Sequence, residues 1–538
     1  MVSEEVEVMA RTTPVDSLPD QWRAAYERDR QGQAVYADPA PERRAGRMLA
    51  AFVVTGLAFL ALPGTLLGVW NLITIAEHHA ITAASTAWIQ AHGHAQLFGW
   101  VGTFILGISL YTLPKFRGHA LKRFGEAWTV WALWTLGVAG RWWAGFDSWH
   151  WRPALVGSAL LELAAFALAQ HILVWGAGTD AAGQPGTAGK KPSDLGSWLG
   201  IFGFASLGVA LVINFVIAVE LVRTSNLPIY PAAADRTFLL VALWGFTVPV
   251  AWGYSTRFVT IFLGLEPPVH KAALALGAGI ALVVLLAIVR AFLPADLVAM
   301  LVTGAAIWAL QVFRASVRPP KLLGVYRRYP AFIRVAYGWL VAGAVLGLAA
   351  DLLPRASGLG GASRHAITVG FVATLIFAIG PRILPAFLSG RELFSARLMA
   401  ASLWILNLGC LLRVSSEIVA YSSGGAAWII LPVSALLELT GVVIFVVNLG
   451  ATLTQPMPAW FPPEGANARL PVYWYVTSFP KTRAILIESG LETLARVRDV
   501  PRSLSLGEAV AADGADLDQT LARLREFFRQ RQPRRTGR

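Results

Sequence analysis

Apolar runs of about twenty residues recur along the chain between residues 48 and 450, separated by short polar stretches. A helix of this length crosses the hydrocarbon core of a bilayer, and a helix satisfies all its backbone hydrogen bonds within itself. The pattern predicts an all-α polytopic membrane bundle of about twelve transmembrane helices. The predicted spans are residues 48–70, 92–114, 125–146, 153–175, 197–222, 237–263, 271–293, 295–315, 335–354, 364–388, 397–419 and 425–450.

A motif near the start of the second span recurs in the tenth. The shift in residue number that aligns His94 with His365 also aligns further positions of the two spans. An Ala-Leu-Leu-Glu-Leu run at 159–163 recurs in the same way at 435–439. Such internal repeats are typical of duplicated membrane proteins, so we predict two homologous halves. The further positions aligned by the shift are Gly99 with Gly370, Thr103 with Thr374, and Pro114 with Pro385.

Polar segments flank the membrane region and define four predicted domains. Residues 1–45 are charged and lack a sustained period, so we expect a mostly disordered arm. Residues 46–452 form the twelve-helix domain, and residues 453–470 form a linker rich in proline and aromatic residues. Residues 471–530 form a small helical domain, in which Ser503 or Ser505 is placed to cap a helix that contains Glu508.

Composition agrees with a membrane protein. Of the 538 residues, 56% are hydrophobic and only 14% charged, whereas a soluble domain carries about 25% charged residues. The net charge of +13 is explained by Lys and Arg in cytoplasmic loops, so we expect lipid contacts and no nucleic acid. Arg43 and Arg44 before the first span predict cytoplasmic termini. The single Cys410 excludes an internal disulfide and any cysteine-based metal site.

Histidines concentrate near one predicted face of the membrane. Imidazoles are good ligands for haem iron and for copper. On a helix, His92 and His94 diverge by about 200°, so His94 is predicted to face inward and His92 to lie at the entrance. Gly99 and Gly102 are expected to leave space for a flat macrocycle beside the helix. Helix capping and headgroup binding are the alternative roles. The candidate metal ligands are His92, His94, His365, His78 and His79.

Charged residues lie within several of the apolar spans. Glu162 and Glu438 are expected to pair with Arg141 and Arg413, or to carry protons toward a metal. Arg257, near the inner end of the sixth span, suits a haem propionate or another anion by bidentate hydrogen bonding, or else reaches the lipid headgroups.

These residues resemble the NnrS family of haem- and copper-containing membrane proteins of nitric oxide metabolism and nitrosative stress. The resemblance covers about residues 45–450. It rests on His-Ala-x-x-Phe-Gly at 94–99, Gly-x-x-x-Arg-Phe at 253–258, and Arg-His-Ala-Ile-Thr-Val-Gly at 364–370 followed by Arg382. After Arg382 the chain has Ile-Leu-Pro-Ala rather than the family's Gly-His-x-Gly-Arg ending. The tail from Val476 resembles a small helical domain of unknown function, but lacks that domain's cysteine pair.

The resemblance implies a bacterial inner-membrane protein that binds haem of unspecified type and copper, with nitric oxide or a similar small molecule as ligand. His94 and His365 would be metal ligands, and Arg257, Arg364 and Arg382 would hold propionates or an anionic ligand. The residues identify neither a catalytic group nor an electron donor.

Two other functions remain open. One is a divergent catalytic subunit like those of the haem–copper oxidases and nitric oxide reductases, which also have twelve spans. Their binuclear centre needs a His-His pair in a later helix, and between His171 and His365 this chain has only His270. The other is a secondary transporter with a repeat fold, for which the histidines would not be needed.

Overall fold

The computed structural model divides the chain into two compact units: a small unit of residues 1–44 and 456–538, and a membrane unit of residues 45–455. The structure describes residues 15–30, 39–116, 121, 123–147, 149–175, 194–322, 324–355, 358–387, 393–454, 466–479, 481–497, 500–501 and 503–529. Across these ranges every regular element is a helix, apart from an isolated bridge between Pro471 and Ser505. The all-α prediction is confirmed.

Eleven helices in the described ranges are long and apolar enough to cross a membrane. They coincide with eleven of the twelve predicted spans, so the prediction of a polytopic bundle is confirmed. Together with one further long helix of the membrane unit and the α-helices of the small unit, we number them in chain order; a short helix at Phe258–Leu263 is left unnumbered. They are α1 (Asp20–Arg30), α2 (Arg44–His78), α3 (Thr86–Pro114), α4 (Phe124–Ala144), α5 (Trp151–Val174), α6 (Leu195–Thr224), α7 (Ala232–Ser255), α8 (His270–Ile288), α9 (Phe292–Leu310), α10 (Tyr329–Leu352), α11 (Leu359–Pro385), α12 (Ala396–Ser423), α13 (Ala427–Thr454), α14 (Val472–Ser478), α15 (Thr482–Glu488), α16 (Glu492–Arg496), α17 (Leu506–Asp513) and α18 (Leu517–Arg529).

Helix α4 is the predicted span that falls outside the eleven. It has 21 residues, but Glu126, Arg141 and five tryptophans lower its mean hydropathy. Tryptophan scores poorly on hydropathy scales, although it is common at the edges of membrane helices. Helix α4 packs along α5, in one of the two most extensive helix pairs of the unit; the other is α12 with α13.

Glycines bring each of these two pairs into close contact. A Cβ atom at Gly137 of α4 would meet Cγ of Glu162 at 2.7 Å, and one at Gly409 of α12 would meet Cγ of Glu438 at 2.9 Å. The missing side chains therefore let each glutamate lie at a helix interface within the bundle.

Four membrane helices contain π-helical segments, at Leu60–Leu66, Ala95–Gly102, Val241–Thr247 and Ala366–Ala373. Such wider turns often occur at functional sites, where they change the direction in which side chains project. In α3 and α11 the segment begins directly after His94 and His365. The two segments are therefore related by the same shift in residue number as the sequence motifs.

The small unit has its own core, and α1 belongs to it. Trp22 and Ala25 of α1 are fully buried with Tyr475 and Leu506. Residues 1–45 were expected to be mostly disordered, so a packed helix at 20–30 was not anticipated. Its apolar positions contact a partner that lies at the other end of the chain. The predicted linker at 453–470 lies mostly outside the described residues.

A capping box starts α17 of the small unit. The Ser505 side chain accepts from the Glu508 amide, and the Glu508 carboxylate accepts from the Ser505 amide. The sequence predicted either Ser503 or Ser505 as the N-cap, and the structure has Ser505 at this position.

Candidate functional site

A cavity of about 610 Å³ lies inside the membrane unit. Its volume is within the range of about 300–1,000 Å³ that is usual for ligand pockets. Most of the lining is apolar, and the polar groups come from both sequence halves. The ionisable residues that line it are His92, His94, Arg141, Tyr230, Asp235, Arg236, Asp296, Asp351, Arg364, His365, Arg413, Glu417, Tyr421 and Glu438.

Two of the cavity histidines are held in the same way. His92 Nδ1 is 2.8 Å from the Gly64 carbonyl oxygen, and His365 Nδ1 is 3.0 Å from the Gly361 carbonyl oxygen. A carbonyl oxygen only accepts hydrogen bonds, so Nδ1 carries the proton in both rings. In the neutral imidazole, Nε2 then carries the lone pair that can bind a metal, and a bond of this kind is what commonly orients metal-binding histidines.

His94 is held differently, by a side chain rather than by the backbone. Its Nε2 lies 2.8 Å from Oε1 of Glu162, and both side chains are almost completely buried. The other nitrogen, Nδ1, is buried without a hydrogen-bond partner, and the ring stacks on Phe98 with centroids 4.7 Å apart. His92 and His94 therefore diverge, one toward α2 and the other toward α5.

A short hydrogen-bond network supports Glu162. The Asn214 amide donates to its second oxygen at 3.4 Å, and the Tyr230 hydroxyl donates to the Asn214 side-chain oxygen at 2.7 Å. Burial raises the pKa of Tyr230, so the phenol stays protonated at neutral pH and remains a donor. Glu162 was expected to pair with Arg141 or to carry protons; here its partners are His94 and Asn214.

The second half has another arrangement around His365. Arg413 and Glu417 of α12 form a buried ion pair with Nη1 and Oε2 3.3 Å apart, and the same oxygen is 3.4 Å from His365 Nδ1. Glu438, the counterpart of Glu162, has an oxygen without a hydrogen-bond partner. The expected pairing of Glu438 with Arg413 is therefore replaced by the pair of Arg413 with Glu417.

A third charged group joins three helices at the cavity wall. Arg236 of α7 contacts Asp296 of α9 at 2.9 Å and Asp351 of α10 at 2.6 Å. One guanidinium thus faces two carboxylates, which fixes the relative positions of these helices beside the cavity.

Several buried polar atoms of the lining have no hydrogen-bond partner. They belong to Asn71, His94, Trp100, Arg141, Asp351, Arg413, Glu417 and Glu438. Buried polar groups are almost always paired in folded proteins. The cavity wall therefore offers donors and acceptors that polar groups of a ligand can pair.

Some predicted site residues do not line this cavity. His78 is exposed and donates to the Thr74 carbonyl oxygen at 3.0 Å, and His79 stacks on Trp428 at a centroid distance of 5.3 Å. Arg257 lies 3.3 Å from Asp194 and over the ring of Phe116. Arg382 also lies outside the lining, whereas Arg364 belongs to it.

The expectation that glycines of α3 leave space for a macrocycle is wrong. A Cβ atom at Gly99 would meet Phe59 at 2.9 Å, and one at Gly102 would meet Trp134 at 2.9 Å. Side chains of neighbouring helices already fill these positions, so the glycines serve helix packing rather than ligand binding.

Sequence reasoning missed several cavity residues. Glu417 follows Arg413 by one helical turn, a spacing that brings the two side chains together on one helix, so its signal was present in the sequence. Asp296 lies at the start of the predicted span 295–315, and Asn71 directly follows the predicted span 48–70. Only the folded chain reveals that these residues meet.

Comparisons with known proteins were made for both sequence and fold. A family model described as "NnrS protein" matches residues 48–457. None of the curated proteins matches the chain. Among solved structures, the fold is similar to that of a heme-copper terminal oxidase determined as a dimer by cryo-EM, with a TM-score of 0.58 at 13% identity over 87% of this chain and 93% of that one. At this identity the likeness concerns the fold.

Proposed function

Because the chain belongs to the NnrS family, we propose that it is a haem-binding integral membrane protein of nitric oxide metabolism or the nitrosative-stress response. One observation carries the proposal: His92 and His365 each bond a backbone carbonyl through Nδ1 and line a common cavity. Both rings thus offer Nε2 as a ligand atom.

The cavity suits a haem in size and chemistry. Its volume of about 610 Å³ and its largely apolar lining fit a flat macrocycle, and the unpartnered polar atoms fit the macrocycle's polar edge. Haem brings four nitrogen ligands of its own, so one or two imidazoles complete the coordination of its iron. A bound haem would supply the iron site at which nitric oxide or a similar small ligand binds.

Among the three histidines, His365 and His92 would hold the haem iron in preference to His94. Nε2 lies at the outer edge of the ring, whereas His94 offers Nδ1, which is next to its own backbone and beside Phe98. His94 was the first choice from sequence, where ring orientation is not visible.

Copper finds less support in the arrangement of side chains. The described residues contain no group of three or more His, Cys, Asp or Glu side chains placed to hold a metal ion. We therefore propose copper binding on family membership alone, and its content is to be measured rather than assigned to residues.

The test is an absorption spectrum of the purified protein together with analysis of iron and copper. We expect a Soret band in wild-type protein that is lost in His365→Ala and in His92→Ala, and is weakened in His94→Ala. His150→Ala is the matched control, since His150 is exposed and bonds Asp147 away from the cavity. A colourless wild-type protein without metal would overturn the proposal and favour the transporter function.

Catalysis is a separate question from binding. Anaerobic consumption of nitric oxide by the reduced protein, with many turnovers per haem, would extend the proposal to a reductase. A single stoichiometric uptake would restrict it to binding or sensing.

We further propose that the membrane unit lies in the bacterial inner membrane with the small unit on the cytoplasmic side. Helix α1 and the helices after residue 466 share one core, so the chain has to enter and leave the membrane on the same side. An even number of crossings follows, which requires α4 to cross as a twelfth span. A reporter fused after residue 538 should be active only in its cytoplasmic form; a periplasmic signal would contradict this orientation.

A further inference from the structure

Arg141, near the end of α4, is a buried arginine with open donor groups. The residue is 2% exposed and lines the cavity. Two of its three nitrogens, Nε and Nη1, have no hydrogen-bond partner. Its guanidinium carbon lies 4.7 Å from the centre of the Tyr230 ring. This cation–π contact holds the group in place and leaves Nε and Nη1 open.

Arg413 is the counterpart of Arg141 in the other half, and there the charge is neutralised. The shift in residue number that takes Arg141 to Arg413 also takes Gly137 to Gly409. The opposite charge beside Arg413 comes from Glu417, whose Oε2 lies 3.3 Å from Nη1 in an ion pair that lacks hydrogen-bond geometry. Applied in reverse, the same shift leads from Glu417 to Gly145. Where the second half has a carboxylate, the first half has no side chain at all.

Other acids near Arg141 do not take the place of that carboxylate. Both carboxylate oxygens of Glu162 already accept hydrogen bonds, one from His94 and one from Asn214. Asp235 lies within electrostatic range of Arg141, but within the described residues no ion pair or hydrogen bond joins the two side chains, and Arg364 lies near the same carboxylate. A buried charge with open donors is costly unless an opposite charge reaches it, and the cavity is where that charge can come from.

We propose that Arg141 is the anion-binding residue of the cavity and takes a carboxylate or another oxyanion of the bound ligand. The inference rests on the proposed haem function and makes it more specific. The oxyanion has two possible sources, a propionate of the macrocycle or a small free anion. Arg141 thereby replaces Arg257 and Arg382, which lie outside the cavity.

The experiment compares two haems in protein freed of its cofactor: haem with free propionates and haem dimethyl ester. If Arg141 binds a propionate, the ester should bind wild-type protein about ten- to hundredfold more weakly, which is the usual range for a lost charged hydrogen bond. Arg141→Gln should bind haem more weakly by a similar factor and should bind both haems equally. Arg141→Lys, which keeps the charge, should recover part of the difference and also tests whether loss of binding merely reflects misfolding.

A nitrite titration of the haem-loaded protein distinguishes the second source. If both haems bind wild-type protein equally and Arg141→Gln weakens nitrite binding by about tenfold or more, the oxyanion is a free one. Arg257→Gln is the matched control and should change neither measurement. If wild-type protein binds haem but Arg141→Gln changes neither ester discrimination nor nitrite affinity, the inference is overturned. Failure of wild-type protein to bind any haem would instead overturn the proposed function.

Discussion

The regions around His94 and His365 lie at sequence positions related by one shift in residue number, but their side chains have different partners. Both histidines precede a π-helical segment and line the same cavity. In the first region, His94 bonds Glu162 of α5, and Nε and Nη1 of Arg141 have no hydrogen-bond partner. In the second region, His365 bonds the Gly361 carbonyl oxygen, and Arg413 forms an ion pair with Glu417. Oε1 of Glu438 has no hydrogen-bond partner.

The difference shows how one residue can determine which side chains pair around it. Glu417 stands where the first half has Gly145. Its carboxylate neutralises Arg413, so Glu438 is not required as a counter-charge. Without such a carboxylate in the first half, Arg141 stays available to a ligand and Glu162 is used by His94. The two regions therefore present different charged groups to the cavity.

The largest effect on stability is expected for Glu417→Gln. Removing one partner of a buried ion pair leaves the other charge uncompensated, which costs about 3 kcal/mol or more. We expect that loss in the free energy of unfolding, measured by denaturant titration in detergent. Glu492→Gln is the control, because its pair with Arg496 is exposed and should contribute nothing measurable. Equal stability of the two variants would contradict the role given to Glu417.

The next largest effect should separate Glu162→Gln from Glu438→Gln. Glu162 accepts bonds from His94 and Asn214, and hydrogen bonds to a charged group contribute about 1.5–3 kcal/mol. Glu438 has an open oxygen, so its neutral replacement should leave stability unchanged or raise it. Unfolding measurements on both variants should thus give opposite or clearly unequal shifts. Equal losses would mean that the two glutamates are used alike.

A smaller and equal effect is expected for Gly137→Ala and Gly409→Ala. Each new Cβ atom would lie within 3.0 Å of the glutamate on the partner helix, and overpacking of this kind costs about 1 kcal/mol or more. The shared packing of α4–α5 and α12–α13 predicts similar shifts in melting temperature. A large difference between them would show that the two pairs do not tolerate crowding alike.

The smallest effect should come from His78→Ala, which lies in neither region. His78 is exposed and bonds only within its own helix turn. The Soret band and the metal content should equal those of wild-type protein. A loss of copper in this variant would reveal a metal site outside the cavity.

Hydrophobic pattern alone predicted the bundle well, because a bilayer imposes one length and one element type on every crossing. It placed α4 correctly as a helix at 125–146, even though five tryptophans lower its mean hydropathy. The pattern could not reveal α1 as a packed helix, since its burial depends on contacts with residues after 466.

Some residues of the cavity lining could be named from the sequence, but their hydrogen bonds could not. His92, His94, His365 and Arg364 line the cavity as named from sequence. Which nitrogen of each imidazole is free depends on the carbonyl or carboxylate that happens to face it. Such partners, among them Gly64 for His92 and Glu162 for His94, come from other helices and carry no local signal.

Burial of Trp22 in the small unit has a consequence for how the protein is made. Helix α1 is translated before the membrane unit, whereas the helices that cover Trp22 are translated after it. Until those helices are made, an apolar surface of α1 stays uncovered and open to chaperones and proteases. A nascent chain that stops within the membrane unit never covers this surface, so closure of the small unit distinguishes chains that passed through the membrane unit from chains that stopped within it.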